Sequence, residues 1–325
     1  MDCSLPTDVI VDVLSRLPVK SLLRFRFRLS VVDMVDEIVH SKFEVRISDL
    51  ERVVCCRNLV CLVSRQAVHV CNPSTHELVK LPDSPNSNCR FHIAFGYLPS
   101  TNQYKLLTWF HPVNNGDLDR RNNMGWNVFS VSDSGRVDSG SWKLIRNQPY
   151  RNFLYLDSRA VCVNGVIYWR FTRTNPDSVY STMLSFDLEK EEHELIFHPK
   201  LFLSNVDDNA YLLELKGYLS LVDRHPDQIS IWIMKDQKNS EDWVLEYTVN
   251  LPLHFLYDYI LVVASIDAAD NGEEELVFLS KNEGVLYYNV DDGSIRSTDN
   301  LMHLTMRGIE EPFQYFDSFF SLGSA

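Results

Sequence analysis

The most informative stretch of the chain for its architecture is Val70-Cys71-Asn72-Pro73-Ser74-Thr75-His76-Glu77-Leu78. An apolar strand, a turn of Asn, Pro and Ser, and a second strand follow one another, which is the pattern of a β-hairpin. The pattern recurs four more times, beginning near residues 128, 184, 231 and 287. The five starts are 47 to 58 residues apart, close to the period of about 50 residues in kelch-type blades. The sequence therefore predicts a mainly β fold, a kelch-like β-propeller of five or six irregular blades.

Shorter strands led by glycine lie between these hairpins. They begin at Asn164-Gly165, Lys216-Gly217 and Glu283-Gly284, and each continues into an apolar run. We interpret each as an inner strand of a blade. Irregular hairpins of this kind also fit a distorted two-sheet β domain, and the sequence leaves that alternative open.

The first forty residues have a helical periodicity instead. One apolar face would contain Val9, Ile10, Val13, Leu14 and Leu17, and Pro18 would end this helix and begin the next. Val19, Leu22 and Leu23 form a second stripe, and Val31, Met34, Val35, Ile38 and Val39 a third, within Ser30 to Phe43. The sequence thus predicts a small three-helix module at residues 1–45 and a β domain at 50–325. Three short helices cannot enclose a core, so their apolar faces predict docking onto a partner.

Composition excludes several classes of function. The net charge is −13, and almost all of the excess lies in residues 51–325, so we expect no direct binding to nucleic acid. A basic protein partner fits this charge. We expect no secretion signal and no membrane span, since the most apolar run, 251–266, is too short to cross a bilayer. Seven cysteines without metal-ligand spacing predict reduced thiols and a cytoplasmic or nuclear protein.

Motifs for catalysis are missing from the sequence. It contains no Gly-rich phosphate loop, Gly-x-Ser-x-Gly elbow or His-Glu-x-x-His helix. We therefore expect a non-catalytic protein without cofactor or metal. A propeller enzyme stays open as an alternative, because its catalytic groups would come from different blades and form no local motif.

Two polar stretches have more than one interpretation. Residues 133–139, Asp-Ser-Gly-Arg-Val-Asp-Ser, resemble a phosphodegron, although a polar hairpin turn is the simpler interpretation. The acidic run Glu273-Glu274-Glu275 is interpreted as a solvated loop, with contact to a basic target as the alternative.

The N-terminal run from Leu5-Pro6-Thr7-Asp8 through Leu17-Pro18-Val19-Lys20 to Leu22-Leu23-Arg24-Phe25 resembles an F-box. The rest resembles the F-box-associated domain of the plant F-box/kelch-like proteins. The motifs that carry this resemblance are Asn72-Pro73-Ser74-Thr75, Phe95-Gly96-Tyr97, Val163-Asn164-Gly165 with Trp169, Leu184-Ser185-Phe186-Asp187-Leu188 and Ile231-Trp232-Ile233-Met234-Lys235 with Trp243.

The resemblance implies a substrate receptor of a Skp–cullin–F-box ubiquitin ligase. In such a receptor the F-box binds a Skp-type adaptor, and through it a cullin, while propeller loops bind an unknown target protein. The implied adaptor contacts are Leu5, Pro6, Ile10, Leu14, Leu17, Pro18, Val19 and Leu22.

One departure from the family lies after Phe25, where the family usually continues Ser-Lys-x-Trp. This chain has no Trp before Trp109. The second half of the F-box is therefore altered, which leaves open a degenerate module that binds targets without engaging the ligase.

Overall fold

The computed structural model describes residues 8–12, 26–33, 38–47, 50–64, 67–73, 75–84, 92–110, 125–131, 142–145, 155–172, 182–197, 210–225, 227–237, 242–252, 260–267, 273–280, 282–297 and 309–314. The regular structure of these residues is entirely β. It forms six four-stranded antiparallel sheets, numbered here in chain order from the N-terminus. Within the described ranges, no helix is long and apolar enough to cross a membrane.

The chain divides into two compact units. The first comprises Met1–Lys80, Arg224–Ile229 and Tyr247–Ser324, and the second comprises Leu81–Asp223 and Ser230–Glu246. The ends of three strands in sheet 5 cross this division.

Sheets 1, 2 and 6 lie in the first unit. Sheet 1 has the strand order β24-β1-β2-β3, and the other two follow chain order. Sheet 1 contains β1 (Asp8–Asp12), β2 (Arg26–Asp33), β3 (Ile38–Arg46) and β24 (Ile309–Gln314). Sheet 2 contains β4 (Leu50–Cys56), β5 (Leu59–Ser64), β6 (Val68–Asn72) and β7 (Glu77–Lys80). Sheet 6 contains β20 (Ile260–Asp267), β21 (Glu274–Ser280), β22 (Gly284–Asn289) and β23 (Ile295–Ser297).

Sheets 3 and 4 lie in the second unit, with most of sheet 5. Sheet 3 contains β8 (His92–Leu98), β9 (Gln103–Phe110), β10 (Gly125–Val131) and β11 (Lys143–Ile145). Sheet 4 contains β12 (Tyr155–Val163), β13 (Val166–Thr172), β14 (Thr182–Asp187) and β15 (Glu192–Phe197). Sheet 5 contains β16 (Tyr211–Leu215), β17 (Tyr218–Arg224), β18 (Gln228–Met234) and β19 (Trp243–Asn250).

The repeat predicted from the sequence is confirmed strand by strand. Its five starts, near residues 70, 128, 184, 231 and 287, fall in β6, β10, β14, β18 and β22. Each of these is the third strand of its sheet, so the repeated hairpin joins the third strand to the fourth. Four-stranded antiparallel meanders of this kind are the blades of β-propellers. The structure thus confirms the mainly β expectation.

Local sequence explains these strands and turns. In β18, Ile229, Ile231 and Ile233 are buried, while the residues between them are half-buried, as the period of two requires. The turn between β12 and β13 has positive φ angles of 49° at Asn164 and 83° at Gly165. Asn-Gly suits this turn because a two-residue hairpin of type I′ needs positive φ at both central positions.

Two of the three predicted N-terminal helices, the first and the third, are wrong where the structure describes their residues. Residues Asp8–Asp12 of the first predicted helix form β1, and residues of the third lie in β2 and β3. Every second residue of Arg26–Asp33 is apolar from Phe27 to Val31, a period-two pattern that the helical interpretation overlooked. The second predicted helix lies outside the described residues.

Sheet 1 joins strands from both ends of the described chain. Strand β1 pairs with β2 on one side and with β24 on the other. Its pairing with β24 has a register shift between Ile10 and Asp12, and Ile10 lies opposite Pro312. Proline has no N–H to donate to a ladder, which makes this pairing irregular.

The core of the second unit is rich in aromatic side chains. Trp109 and Trp126 from sheet 3 meet Trp169 from sheet 4, with ring centroids 5.3 to 5.9 Å apart. All three are at most 2% exposed. Ile167, Leu184 and Phe186 complete this packing from sheet 4. This cluster fixes sheets 3 and 4 against each other.

Candidate protein-interaction surface

Of the predicted adaptor contacts, the structure describes Ile10 alone. It lies in β1 opposite Ser30 of β2 and Pro312 of β24, in a strand instead of the predicted helix. The other predicted contacts, Leu5, Pro6, Leu14, Leu17, Pro18, Val19 and Leu22, lie outside the described residues. Their role as an adaptor surface stays a prediction.

In the second unit, short turns tie the sheets together at one end. The first-to-second and third-to-fourth connections of a meander leave the same end of the sheet, which we call the turn end. There, Asn164 Nδ2 of sheet 4 donates to the Gly217 carbonyl of sheet 5 at 3.1 Å. Gln237 Nε2 of sheet 5 donates to the Val163 carbonyl at 3.3 Å. These bonds hold sheets 4 and 5 in a fixed relation at their turn end.

A buried lysine joins sheets 3 and 4 at the turn end. Lys105 in β9 is 7% exposed, and its ammonium donates to the Leu188 carbonyl at 2.5 Å and to Glu191 Oε1 at 2.9 Å. Lys143 in β11 also binds the Glu191 carboxylate. Burial opposes ionisation of Glu191, but the hydrogen bonds from Lys143 and Lys105 outweigh it and hold its pKa below the ordinary value. Glu191 is therefore ionised at neutral pH, and its bonds to the two lysines hold sheets 3 and 4 together.

Most of the longer connections between strands of the second unit leave the sheets at the end opposite the turn end. These are residues 111–124, 146–154, 173–181 and 198–210, the second-to-third connections and the exits of the fourth strands in sheets 3 and 4. Among the turn-end connections, 132–142 is of similar length. Residues 111–124, 146–154, 173–181 and 198–209 lie outside the described residues.

The acidic run at 273–275 is not a solvated loop. Glu274 and Glu275 belong to β21, and Glu275 is 5% exposed. Glu273 accepts a hydrogen bond from Asn289 at 2.5 Å, and Glu274 accepts bonds from Tyr247 at 2.5 Å and Ser265 at 2.8 Å. Because these carboxylates bind neighbouring side chains of the same chain, the run is structural.

Three further sequence features are a phosphodegron-like stretch, metal-binding groups and the cysteines. The phosphodegron-like stretch 133–139 lies outside the described residues. Among the residues the structure describes, no group of three or more His, Cys, Asp or Glu side chains could hold a metal ion. Cys61 and Cys71 are fully buried in sheet 2, and burial raises the pKa of both thiols.

Exposed apolar side chains concentrate on the fourth strands. Among the described residues, the large apolar side chains most open to solvent are Leu78, Leu144, Tyr218, Val244 and Leu245. Four of the five lie in β7, β11 or β19, each the fourth strand of its sheet. This concentration was not predicted from the sequence. One indication was present in the sequence: Trp243, Val244 and Leu245 are consecutive apolar residues, whereas only every second residue of a half-buried strand should be apolar.

Comparison with known proteins gives a family match over most of the chain. The model of the F-box associated beta propeller domain matches residues 25–317. The match includes β2 and β3 and therefore begins inside the segment predicted as the helical module.

Two curated relatives from Arabidopsis thaliana are similar to this chain over 203 and 311 residues. An F-box/LRR-repeat protein is 30% identical over 203 residues, covering 60% of this chain and 46% of that protein. An F-box protein is 28% identical over 311 residues, covering 76% of this chain and 72% of that protein. The chain thus spans less than half the length of the first of these relatives.

Among solved structures, the β-propeller domain of the Trilobed protease from Pyrococcus furiosus is similar at a TM-score of 0.43. The two share 10% sequence identity, and the likeness covers 88% of this chain and 77% of that one.

Proposed function

Because this chain belongs to the F-box associated beta propeller domain family, we propose that it is the substrate-recognition subunit of a Skp–cullin–F-box ubiquitin ligase. Its N-terminal segment binds the Skp-type adaptor, and loops of its β-sheets bind a target protein for ubiquitination. The family match over residues 25–317 carries this proposal.

Three further observations support it. The run Leu5 to Phe25 resembles an F-box, and the relatives named above are F-box proteins. Four-stranded sheets with long connections at one end provide a rigid scaffold for protein recognition. The chain acts without chemistry of its own in this role, in the cytoplasm or the nucleus, and the other subunits transfer ubiquitin.

A ternary assembly tests this role. Mixing the purified chain with a Skp-type adaptor and a cullin is expected to give one complex in size-exclusion chromatography. We expect the cullin to co-elute with the chain only when the adaptor is present, because the adaptor is the sole link between them. Retention of the cullin without adaptor, or separate elution of all three folded proteins, would refute the proposed assembly.

A second function is favoured by one specific observation. The stretch after Phe25 lacks the family's usual Ser-Lys-x-Trp, and residues 26–33 form β2 of sheet 1. A module with a degenerate F-box would bind targets without engaging the ligase. The same chromatography separates the two functions, since such a module would bind no adaptor.

A further inference from the structure

The outer strands of sheets 4 and 5, inside the second unit, turn an acidic face and an aromatic face toward each other. Ile196 of β15 packs in one apolar cluster with Tyr168 and Met183, and Trp232 and Trp243 of sheet 5 pack against that cluster. The face of β15 that contains Ile196 is therefore turned toward the face of β19 that contains Trp243. We call the space between these two strands the 4–5 groove.

The wall from sheet 4 is acidic. Side chains alternate along a strand, so Glu192 and Glu194 share the face of Ile196. Both are exposed, and in the register of the sheet Glu192 lies opposite Asp187. The next residues toward the turn contribute one cation, Lys190, whose Nζ is 3.1 Å from Asp187. Near the turn end of this face, three carboxylates therefore lie beside one ammonium.

The directions of two pKa shifts agree with that concentration of negative charge. The hydrogen bond and charge of Asp187, followed by the charges of Glu192 and Glu194, raise the pKa of Lys190. Burial, followed by the charges of Cys162, Asp187 and Glu194, raises the pKa of Tyr168. Both groups therefore experience the field of the acidic wall.

The wall from sheet 5 is apolar. Leu245 lies two residues beyond Trp243 and so shares its face, and it is 43% exposed. Trp243 and Trp232 are half-buried. The strands β15 and β19 both begin at the turn end, where the bond from Gln237 to the Val163 carbonyl joins their sheets. Glu192 and Glu194 therefore lie near the same end of the facing strands as Trp243 and Leu245, and the bond from Gln237 holds the two sheets together at that end.

We propose that the 4–5 groove binds an extended segment of a partner protein in which Lys or Arg alternates with apolar residues. The inference rests on the proposed function, in which that partner is the ligase target. Carboxylates attract the cationic groups, and the aromatic faces accept both cations and the apolar stems that lead to them. Acidic segments and nucleic acid are repelled by the same carboxylates.

Peptide binding to the full chain tests this inference. The probe is a fluorescein-labelled peptide, (Lys-Leu-Arg-Val) repeated twice, and its counterpart has Glu in place of every Lys and Arg. By fluorescence anisotropy, the basic peptide is expected to bind and the acidic peptide is not. The Glu192→Gln, Glu194→Gln double variant should weaken binding at least tenfold, and Leu245→Ser should weaken it about threefold or more.

Matched controls separate binding in the 4–5 groove from nonspecific electrostatic and apolar attraction of the peptide. Asp83→Asn with Asp291→Asn removes two exposed carboxylates outside sheets 4 and 5, and Leu144→Ser removes an exposed leucine from β11. Both should bind the basic peptide within twofold of the unchanged chain. All altered side chains are exposed, so every variant should keep its melting temperature.

Three results would overturn the groove as the binding site. They are equal affinity for the basic and acidic peptides, no binding of the basic peptide, and equal weakening by the groove variants and their controls. Binding that is unchanged between 50 mM and 500 mM salt would contradict the role of the carboxylates. The assay contains no adaptor or cullin, so its failure is distinguishable from failure of the ligase role.

Discussion

Replacing Trp169 by alanine is expected to lower the free energy of unfolding by about 3–5 kcal/mol. Trp169 is fully buried and contacts Trp109 and Trp126 edge-on between sheets 3 and 4. The substitution removes one of the three indole rings of that core and leaves a cavity that neighbouring strands cannot fill. Urea unfolding followed by circular dichroism measures the loss.

Two other variants define what Trp169 contributes. Trp169→Phe should cost less than Trp169→Ala, because the indole Nε1 makes no hydrogen bond among the described residues and the ring packing is mostly kept. Leu144→Ala, at a leucine that is 48% exposed, should change the free energy of unfolding by less than about 0.5 kcal/mol. Equal losses at positions 144 and 169 would contradict the packing described for sheets 3 and 4.

Arg296→Ala is expected to lower the free energy of unfolding by about 3 kcal/mol. Arg296 of β23 forms two bonds to the Glu275 carboxylate, at 2.9 and 2.7 Å, and its guanidinium lies 3.9 Å from the centre of the Tyr287 ring. Glu275 is 5% exposed, so removal of Arg296 leaves a buried carboxylate without its countercharge. Denaturant unfolding of the variant measures the effect.

A double-mutant cycle isolates the buried charge. Adding Glu275→Gln to Arg296→Ala should restore part of the lost stability, since the neutral amide costs less to bury than the carboxylate. Lys235→Ala breaks a pair in which both side chains are about one-third exposed, Lys235 with Glu246 at 2.8 Å, and should cost less than about 1 kcal/mol. If Arg296→Ala lowered the free energy of unfolding as little as Lys235→Ala, the buried ion pair of Glu275 would contribute no more to stability than an exposed pair.

The β-sheets were predictable because their signal is local. Each recurring hairpin has its own turn residues and apolar strands, so the starts near 70, 128, 184, 231 and 287 identified third strands without knowledge of long-range contacts. Sheet 1 was not predictable in this way. It combines Asp8–Asp12 with Ile309–Gln314, and no local pattern relates two segments so far apart in the chain.

The N-terminal segment shows how one apolar pattern fits two structures. Val31, Ile38 and Val39 fit a helical stripe, yet Val31 lies in β2 and the other two lie in β3. β-branched residues pack well on a pleated surface, and pairing between β2 and β3 satisfies the backbone. Tertiary pairing therefore overrides a helical periodicity that extends over only a few turns.

The candidate interaction surfaces required the structure for a different reason. Glu192, Glu194 and Leu245 are ordinary residues of ordinary strands, and nothing in their spacing relates β15 to β19. Packing of Ile196 and Trp243 on one cluster brings them together. In the same way, the acidic run at 273–275 gave no indication that Glu275 is buried against Arg296, because a carboxylate's partner across a sheet is invisible in sequence.

Adaptor binding by the full chain is the most direct test of the ligase role. We would measure co-elution and affinity with a Skp-type adaptor for the unchanged chain, for Leu14→Asp with Leu17→Asp, and for Leu78→Asp with Leu144→Asp as a matched control. If Leu14 and Leu17 are central to the contact, their loss costs about 2–6 kcal/mol together, which is roughly thirtyfold or more in affinity. We expect the unchanged chain and the control to bind the adaptor and the first variant not to bind it. A folded, unchanged chain that binds no adaptor would contradict the ligase role and favour the module that holds targets outside the ligase.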